Sequence, residues 1–268
     1  MTAAERVARF RALHEQGTFV IANAWDAGSA RVLAGMGFPA IATSSGAMAN
    51  THGRHDGRVT REEAIAHGRE LAGAVDVPVS ADLENGFGDS PEDAAFTIGQ
   101  AAAAGLAGGS IEDYSGSALY DIGHASERVA AAVRAARAAP DGFVLTARAE
   151  NFIRGRADLE DTIRRLQAFE KAGADVLMAP GLPDLAAVRR VCESLSKPFS
   201  FMVGIPGKSW PVADLQAAGV RRVSVATSLY KAAMTGLIAA AGEVRDRGTF
   251  GYIERLVSSK ELGGYMRG

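Results

Sequence analysis

The chain has 268 residues, of which 47% are hydrophobic and 22% are charged, and its formal net charge is −2. This composition allows a large buried core and excludes an intrinsically disordered chain. The charge lacks the basic excess that nucleic acids and anionic membranes attract, so we expect a small-molecule partner and neither nucleic acid nor membrane. The single cysteine, Cys192, excludes an internal disulfide framework, which fits a reducing compartment.

The first residues do not have the composition of a targeting segment. Residues 1–17 place apolar side chains at helical spacing between charges, without the continuous apolar core of a signal peptide. No stretch approaches the roughly 18 apolar residues that a bilayer span requires. The sequence therefore predicts a soluble, cytoplasmic protein.

Short β-rich apolar runs recur along the chain, separated by segments whose apolar positions lie three and four residues apart. Helix-start signals introduce two of these segments, at Ser90-Pro91 and at Asp158. The predicted strands are residues 19–22, 40–43, 77–82, 109–112, 143–147, 176–178, 199–203 and 222–226. Eight strands alternating with helices favour a closed α/β barrel, the (β/α)8 or TIM barrel. The main alternative is a doubly wound sheet, but no GxGxxG follows the first strand.

One domain is predicted for residues 1–268, because α/β barrels reach about 250 residues as a single unit. Residues 236–268 form a predicted C-terminal helical extension beyond the complete barrel. It contains an apolar stripe formed by Phe250, Tyr252, Ile253 and Leu256. We expect this stripe to pack on a neighbouring helix or subunit.

Acidic residues cluster at the ends of the third and fourth predicted strands, where barrel enzymes carry their catalytic groups. Asp82 and Glu84 stand two residues apart, so on an extended strand their carboxylates share a face. Glu112 ends the next strand and is expected to point inward, because Ile111 before it then faces the helices. Oxygen ligands of this kind suit Mg²⁺ and are tolerated by Mn²⁺, whereas the lack of nearby histidine disfavours Zn²⁺.

The fifth strand ends at Arg148, whose planar guanidinium suits a substrate carboxylate or phosphonate; the alternative is a structural ion pair. After the second strand, Ser44, Ser45 and Gly46 offer hydroxyls and backbone N–H groups to an anion, although such residues also mark ordinary turns. Asp56 lies in a glycine-flanked loop. It is expected either to fold over the barrel mouth and orient substrate or transfer a proton, or to be a turn residue.

Five segments resemble, in order and spacing, the isocitrate lyase and phosphoenolpyruvate mutase superfamily. They are NAWD, TSSG, DLENGFG, IED and ARAENFI, and the resemblance covers roughly residues 18–230. It implies a Mg²⁺-dependent barrel that acts on 2-oxo or 2-hydroxy carboxylates through an enolate. It also implies a homo-oligomer, a dimer or a tetramer, in which the C-terminal helix is exchanged between neighbours.

The resemblance also implies roles for individual residues. The metal-side carboxylates correspond to Asp82, Glu84 and Glu112, some of them acting through water. The binders of the substrate carboxylate and oxyanion correspond to Ser44, Ser45 and Gly46. Arg148 corresponds to the substrate arginine and Asp56 to the loop aspartate, so Asp56, Arg148 and Glu112 are the expected catalytic residues.

One loop departs from the lyase pattern. Isocitrate and methylisocitrate lyases carry a KKCGH-type loop after the fourth strand, whereas this chain reads EDYSGSALYDIGHASER there. Tyr114, Ser115 and His124 are the candidate proton donors that remain in it. The leading interpretation is a Mg²⁺-dependent lyase that cleaves a C–C bond, similar to oxaloacetate decarboxylase or methylisocitrate or isocitrate lyase. The alternatives are P–C chemistry, as in phosphonopyruvate hydrolase or phosphoenolpyruvate mutase, and a 2-oxo-acid-binding protein without turnover.

Overall fold

Eight parallel strands close into a barrel in the computed structural model, which describes residues 1–266. Each strand pairs with the next one along the chain, and β8 pairs with β1. The strands are β1 (Phe19–Asn23), β2 (Ile41–Ala42), β3 (Val79–Asp82), β4 (Gly108–Glu112), β5 (Val144–Arg148), β6 (Val176–Met178), β7 (Phe199–Met202) and β8 (Arg222–Ser224). This architecture confirms the predicted (β/α)8 barrel, and each of the eight predicted runs overlaps one strand.

Helices surround the barrel and continue beyond it. They are α1 (Ala3–Ala12), α2 (Ala27–Gly35), α3 (Ser45–Thr51), α4 (Arg61–Ala74), α5 (Pro91–Ala103), α6 (Ile122–Ala138), α7 (Leu159–Lys171), α8 (Leu185–Glu193), α9 (Val212–Ala217), α10 (Ser228–Arg247) and α11 (Ser259–Tyr265), with a 3-10 turn at Gly251–Arg255. No helix within residues 1–266 has the length and apolarity to cross a membrane.

The two predicted helix-start signals act as N-caps. The backbone N–H of Asp93 donates to Ser90 Oγ at 3.0 Å, and Pro91 occupies the first turn of α5. The N–H of Asp161 donates to Asp158 Oδ1 at 2.9 Å at the start of α7. Each cap satisfies a backbone donor that has no partner inside the helix, which fixes where the helix begins.

Alternation along the strands separates a packing face from a site face. On β5, Leu145 and Ala147 belong to the apolar layer between the sheet and the helices, so Thr146 and Arg148 point into the barrel. On β4, Ile111 joins the same layer, whereas Glu112 lines the cavity at the barrel mouth. The expected inward orientation of Glu112 therefore agrees with the structure.

Helix α1 closes the N-terminal end of the barrel. Its fully buried Phe10 packs with the inward-facing Phe19, Val144 and Val176. A Cβ at Gly108 would lie 2.7 Å from Phe10 Cε1, so only glycine at this position of β4 leaves room for the ring. Because this end is plugged, access to the barrel interior is from the carboxyl ends of the strands.

The C-terminal segment leaves apolar side chains exposed. Helix α10 has no buried residue, and Leu237 and Ile238 are 57% and 69% exposed. In the predicted stripe, Phe250, Ile253 and Leu256 are also exposed. Helix α10 runs through residue 236 without a break, so the extension predicted for 236–268 begins inside a helix; its last two residues, 267–268, lie outside the described part.

Candidate active site

A cavity of about 1170 Å³ opens at the carboxyl ends of the strands. Every residue to which the sequence assigns a metal, substrate-binding or catalytic role lines this cavity, so the fold brings together positions more than 100 residues apart in the chain. They are Ser44, Ser45, Gly46, Asp56, Asp82, Glu84, Glu112 and Arg148.

Asp82 ends β3 and is held from two sides. Its Oδ2 accepts a hydrogen bond from the backbone N–H of Ser45 at 3.1 Å, and its Oδ1 accepts one from Arg148 Nη1 at 2.8 Å. Its own N–H donates to Thr43 Oγ1 at 2.9 Å. These contacts tie the TSSG segment after β2 to the end of β3 and fix the direction of the carboxylate.

Glu84 does not lie on the strand, so the expected shared strand face with Asp82 is wrong. The strand ends at Asp82, and Glu84 adopts a left-handed backbone with φ of 48°, a conformation that costs a residue with a side chain about 1–3 kcal/mol. Its carbonyl accepts from the N–H of Glu112 at 2.8 Å, which couples this turn to the end of β4. The turn still directs the Glu84 side chain into the cavity.

One carboxylate oxygen of the half-buried Glu84, Oε1, has no hydrogen-bond partner among the described residues. Burial, together with the negative charges of Asp82 and Asp56, raises the pKa of Glu84 to about 7. A buried carboxylate oxygen without a donor is costly, and a cation beside it would remove that cost.

Arg148 lies at the centre of the cluster. Besides Asp82, its guanidinium contacts Glu112 Oε2 at 3.0 Å and Glu150 Oε1 at 2.8 Å. These three carboxylates hold the pKa of Arg148 well above its ordinary value, although its partial burial acts in the opposite direction. Arg148 therefore forms structural ion pairs, the alternative role that the sequence left open. Its guanidinium also faces the cavity.

Arg154 also lines the cavity, and it was not predicted from the sequence. Its Nη2 lies 3.1 Å from Glu112 Oε1 and 3.2 Å from Glu150 Oε2, and its guanidinium stacks 4.0 Å from the centroid of the Tyr114 ring. The available signal was its position four residues after Glu150, a spacing typical of ion pairs within a helical turn.

The cluster contains more acidic than basic side chains. Its members are four carboxylates and two guanidinium groups: Asp82, Glu84, Glu112, Glu150, Arg148 and Arg154. With all of them ionised, two negative charges remain unbalanced. Burial and the neighbouring carboxylates accordingly raise the pKa of Glu112.

Whether these residues suit a metal ion depends on their chemistry as donors. No three acidic, histidine or cysteine side chains within residues 1–266 are grouped as a ready metal-binding set, and Arg148 contacts both Asp82 and Glu112. The donors are all oxygen, two charges are unbalanced and one Glu84 oxygen has no partner, which together fit a hard divalent cation. The assignment of Asp82, Glu84 and Glu112 as metal ligands stays a prediction.

The segment after β2 brings backbone close to the cavity. Ser44 caps α3 by accepting from the N–H of Ala47 at 3.3 Å. A Cβ at Gly46 would lie 3.2 Å from the Asp56 carboxyl carbon and 3.1 Å from Thr227 Cγ2. The loop that carries Asp56 therefore folds over the mouth of the barrel, against the start of α3. This position agrees with the first of the two expectations for Asp56, a loop that covers the barrel mouth.

Asp113 supports the cluster from behind. It is buried, accepts from the N–H of Glu150 at 2.8 Å and forms an ion pair with Arg165 at 2.9 Å. Glu112, the last residue of β4, faces the cavity, and Asp113, which follows it, faces away from it. Asp113 positions the backbone that carries Glu150.

The three candidate proton donors occupy different places. Tyr114 and Ser115 line the cavity, but the Ser115 hydroxyl already donates to the Ala118 carbonyl at 3.0 Å. His124 is absent from the described cavity lining, and its Nε2 lies 2.8 Å from the Asp89 carbonyl. Tyr114 is the one of the three that combines a cavity position with a side-chain contact to the cluster, through Arg154.

The fold and the site define a (β/α)8 barrel with a buried carboxylate–arginine cluster at the carboxyl ends of its strands. The family model for phosphoenolpyruvate phosphomutase matches residues 10–245. The chain therefore belongs to the phosphoenolpyruvate mutase family, and the resemblance to the isocitrate lyase and phosphoenolpyruvate mutase superfamily is confirmed. Characterised members of this superfamily are lyases or mutases.

Relatives with curated names cover most of the chain. An uncharacterized protein of Mycobacterium tuberculosis is 35% identical over 239 residues, which is 88% of this chain and 87% of the relative. Oxaloacetate decarboxylase 2 of Pseudomonas putida is 30% identical over 75% of this chain and 68% of its own length. The 2-methylisocitrate lyase of Halalkalibacterium halodurans is 28% identical over 95% of this chain and 87% of its own length.

Solved structures share the same fold. A protein of Burkholderia cenocepacia J2315, described as a lyase/mutase, is 45% identical, with a TM-score of 0.96 and coverage of 98% of this chain and 96% of that one. A 2,3-dimethylmalate lyase is 26% identical, with a TM-score of 0.87 and coverage of 99% and 94%.

Proposed function

We propose that this protein is a Mg²⁺-dependent lyase that cleaves a C–C bond of a small 2-oxo or 2-hydroxy dicarboxylic acid and passes through an enolate. The observation that carries the proposal is the surplus of acidic over basic side chains in the cluster, with a buried Glu84 oxygen that has no hydrogen-bond partner. Beside it, the Arg148 guanidinium is a fixed positive group suited to a substrate carboxylate.

The metal would be held by Asp82, Glu84 and Glu112, directly or through water, and Mn²⁺ would satisfy the same oxygen donors. When bound, Mg²⁺ supplies electrostatic stabilisation of the negative charge that develops on the substrate carbonyl oxygen. The protein's contribution is to fix these carboxylates before substrate arrives, through the Ser45 N–H bond to Asp82 and the turn at Glu84.

The remaining cavity residues have roles in binding and proton transfer. Ser44, Ser45 and Gly46 would bind a substrate carboxylate or oxyanion, and the missing side chain at Gly46 lets the Asp56 carboxyl group approach this segment closely. Asp56, on the loop over the mouth, would orient substrate. Tyr114 would donate a proton to the enolate carbon from its place beside Arg154.

Two named relatives favour C–C chemistry, since they are an oxaloacetate decarboxylase and a 2-methylisocitrate lyase. The name of the family model supports a second candidate, P–C chemistry on phosphonopyruvate or phosphoenolpyruvate. Inorganic phosphate released from phosphonopyruvate, or phosphoenolpyruvate formed from it, would identify that candidate.

The exposed apolar side chains of α10 and the following turn support a homo-oligomer, a dimer or a tetramer. Monomeric proteins rarely expose a contiguous apolar surface of this kind, so a second copy of the chain is the proposed cover. The exchange of residues 236–268 between subunits belongs to this proposal.

The test is a turnover screen with Mg²⁺ in excess. The substrates are oxaloacetate, isocitrate, methylisocitrate, 2,3-dimethylmalate and phosphonopyruvate, and the readouts are pyruvate, glyoxylate and phosphate. We expect one C–C substrate to be cleaved, with activity lost on chelation and in Asp82→Asn. As a matched control, Asp76→Asn, a substitution outside the cavity lining, should retain activity. Tight oxalate binding without turnover of any substrate would contradict the lyase proposal and indicate a binding protein.

A further inference from the structure

An isolated cation lies inside the barrel, below the carboxylate cluster. Arg222 points inward from β8, is only 4% exposed and contributes to the floor of the cavity. No carboxylate within residues 1–266 forms an ion pair with it. Burial lowers the pKa of Arg222 to about 9, so the guanidinium remains charged at neutral pH.

All hydrogen-bonding neighbours of this guanidinium are neutral. Arg222 donates to Ser200 Oγ at 2.9 Å, to Thr146 Oγ1 at 2.9 Å and to His14 Nε2 at 3.4 Å. His14 Nδ1 lies 2.8 Å from the Phe10 carbonyl, which only accepts, so the ring proton is on Nδ1 and Nε2 is free to accept. Burial and the charge of Arg222 lower the pKa of His14 to about 3, so the ring is neutral at physiological pH.

Two other arginines in the interior, Arg148 and Arg165, have the carboxylate partners that Arg222 lacks, whereas the buried Arg128 donates to the Ser90 and Asn85 carbonyls. Arg148 contacts three carboxylates, and Arg165 pairs with Asp113 and Asp161 at 2.9 Å and 2.8 Å. A buried charge without a counter-charge is unfavourable, and hydroxyl and imidazole dipoles offset only part of that cost. An anion beside Arg222 would supply the missing counter-charge.

Two free hydroxyls accompany the cation on the cavity floor. Ser80 and Ser110 line the same cavity at 6% and 9% exposure, and their hydroxyls form no hydrogen bond with any described residue. Ser110 stands opposite Thr146 in the register of β4 and β5, and Thr146 is a hydrogen-bond partner of Arg222. Hydroxyl donors and a guanidinium are the groups that bind a small anion.

We propose that Arg222, with the hydroxyls of Ser110 and Ser80, forms an anion site on the barrel floor that takes one small monovalent group, a halide ion or a carboxylate. The group comes either from free salt or from one arm of a dicarboxylic acid. Thr146, a hydrogen-bond partner of Arg222, lies two residues before Arg148 on β5, and two residues of strand span about 6.6 Å. One arm of a dicarboxylic acid would therefore have to extend about 6.6 Å below the carboxylate cluster to reach this site. The proposal does not depend on the reaction proposed above.

Bromide is the probe, because its anomalous scattering locates it in a crystal. Crystals of the wild-type protein soaked in sodium bromide should show a peak within hydrogen-bonding distance of the Arg222 guanidinium and the Ser110 hydroxyl. The peak should disappear in Arg222→Met. It should persist in Arg221→Met, which makes the same change at the neighbouring residue, whose side chain contacts the Gly17 carbonyl at 3.3 Å.

A solution measurement covers the case in which Arg222→Met fails to fold. Ser110→Ala removes one hydroxyl and leaves the charge in place. In the wild type, bromide at roughly ten times its dissociation constant should raise Tm by about 3 °C, and the rise in Ser110→Ala at the same salt concentration should be smaller. No bromide peak at Arg222, or equal salt responses in wild type, Ser110→Ala and Arg221→Met, would overturn the proposal.

Competition separates the two sources of the anion. Malonate and oxaloacetate, added to bromide-soaked crystals without divalent metal, would displace bromide from Arg222 if the site takes a substrate carboxylate. Bromide that stays in place would identify a site for a free inorganic anion. Either result supports an anion site, because both require the bromide peak in the untreated crystal.

Discussion

Tyr114 lies in the loop after β4 and lines the cavity, and its role can be separated from simple packing. Tyr114→Phe keeps the ring that stacks on Arg154 and removes only the hydroxyl. If Tyr114 donates the proton, kcat should fall by about 10²-fold in steady-state assays with little change in KM.

Tyr120→Phe is the matched control for that substitution. The Tyr120 hydroxyl contacts Asp89 and accepts from Asn85 at 3.0 Å, and the residue is absent from the described cavity lining. This variant should lose stability and keep kcat. A Tyr114→Phe variant with wild-type kcat would assign the proton to another donor.

The buried His14 gives a pH dependence whose sign is fixed. Its folded pKa of about 3 lies below the unfolded value of 6.5, so between these pH values the unfolded chain binds more protons. The free energy of unfolding therefore falls as pH drops through this window, by up to about 1.4 kcal/mol per pH unit. Asp113 acts with the opposite sign, because burial raises its folded pKa to about 6.

A difference measurement isolates His14 from these carboxyl groups. His14→Gln keeps a donor and an acceptor but cannot be protonated. Urea unfolding of both proteins at about pH 7, 6 and 5 should show the wild type losing stability relative to the variant as pH falls. Parallel curves would mean that His14 is not held neutral in the folded state.

At the scale of secondary-structure elements, the helix caps predicted from the sequence should contribute measurably to the free energy of unfolding. Asp158→Ala removes the acceptor for the Asp161 N–H at the start of α7 and should cost about 1 kcal/mol of stability in urea unfolding. Asp158→Ser retains a capping oxygen and should recover most of the loss. Equal losses in the two variants would show that the aspartate charge, rather than the cap, stabilises α7.

The elements that could be predicted from the sequence are those that depend on local signals. Strands and caps depend on neighbouring residues, so β6 was predicted at its observed bounds and the starts of α5 and α7 at their capping residues. Residues at strand ends reach the cavity because the barrel directs them there, which is why Asp82, Glu112 and Arg148 were found.

What the sequence did not predict depends on contacts across the chain or on local backbone turns. The left-handed turn at Glu84 follows no glycine or proline signal at that residue, and it is supported by the hydrogen bond from Glu112 on another strand. Arg154 joins the cluster through its contact with Glu112, 42 residues away. The isolated charge of Arg222 emerges only when β8 closes on β1 and α1 plugs the barrel.

At the scale of the whole molecule, the apolar surface of α10 leads to a prediction about assembly. Ile238 is 69% exposed in the single chain, so Ile238→Glu should not disturb the monomer's fold. If another copy covers this surface, the new glutamate charge would be buried in the interface and the oligomer would dissociate. Sedimentation velocity would then give a lower mass for Ile238→Glu than for the wild type. Lys231→Glu changes charge elsewhere on the same helix, at the cavity rim, and should leave the mass unchanged. A wild-type protein that sediments as a monomer would contradict the assembly.

The central claim is that the carboxylate cluster binds a divalent cation next to a 2-oxo acid. A crystal structure with Mn²⁺ and oxalate tests it most directly, because manganese is located by its anomalous signal and oxalate resembles the enolate of pyruvate. We expect one manganese ion held by Asp82, Glu84 and Glu112, directly or through water, with oxalate between it and Arg148. Oxalate bound without manganese, or manganese away from these three carboxylates, would show that the cluster is not the metal site.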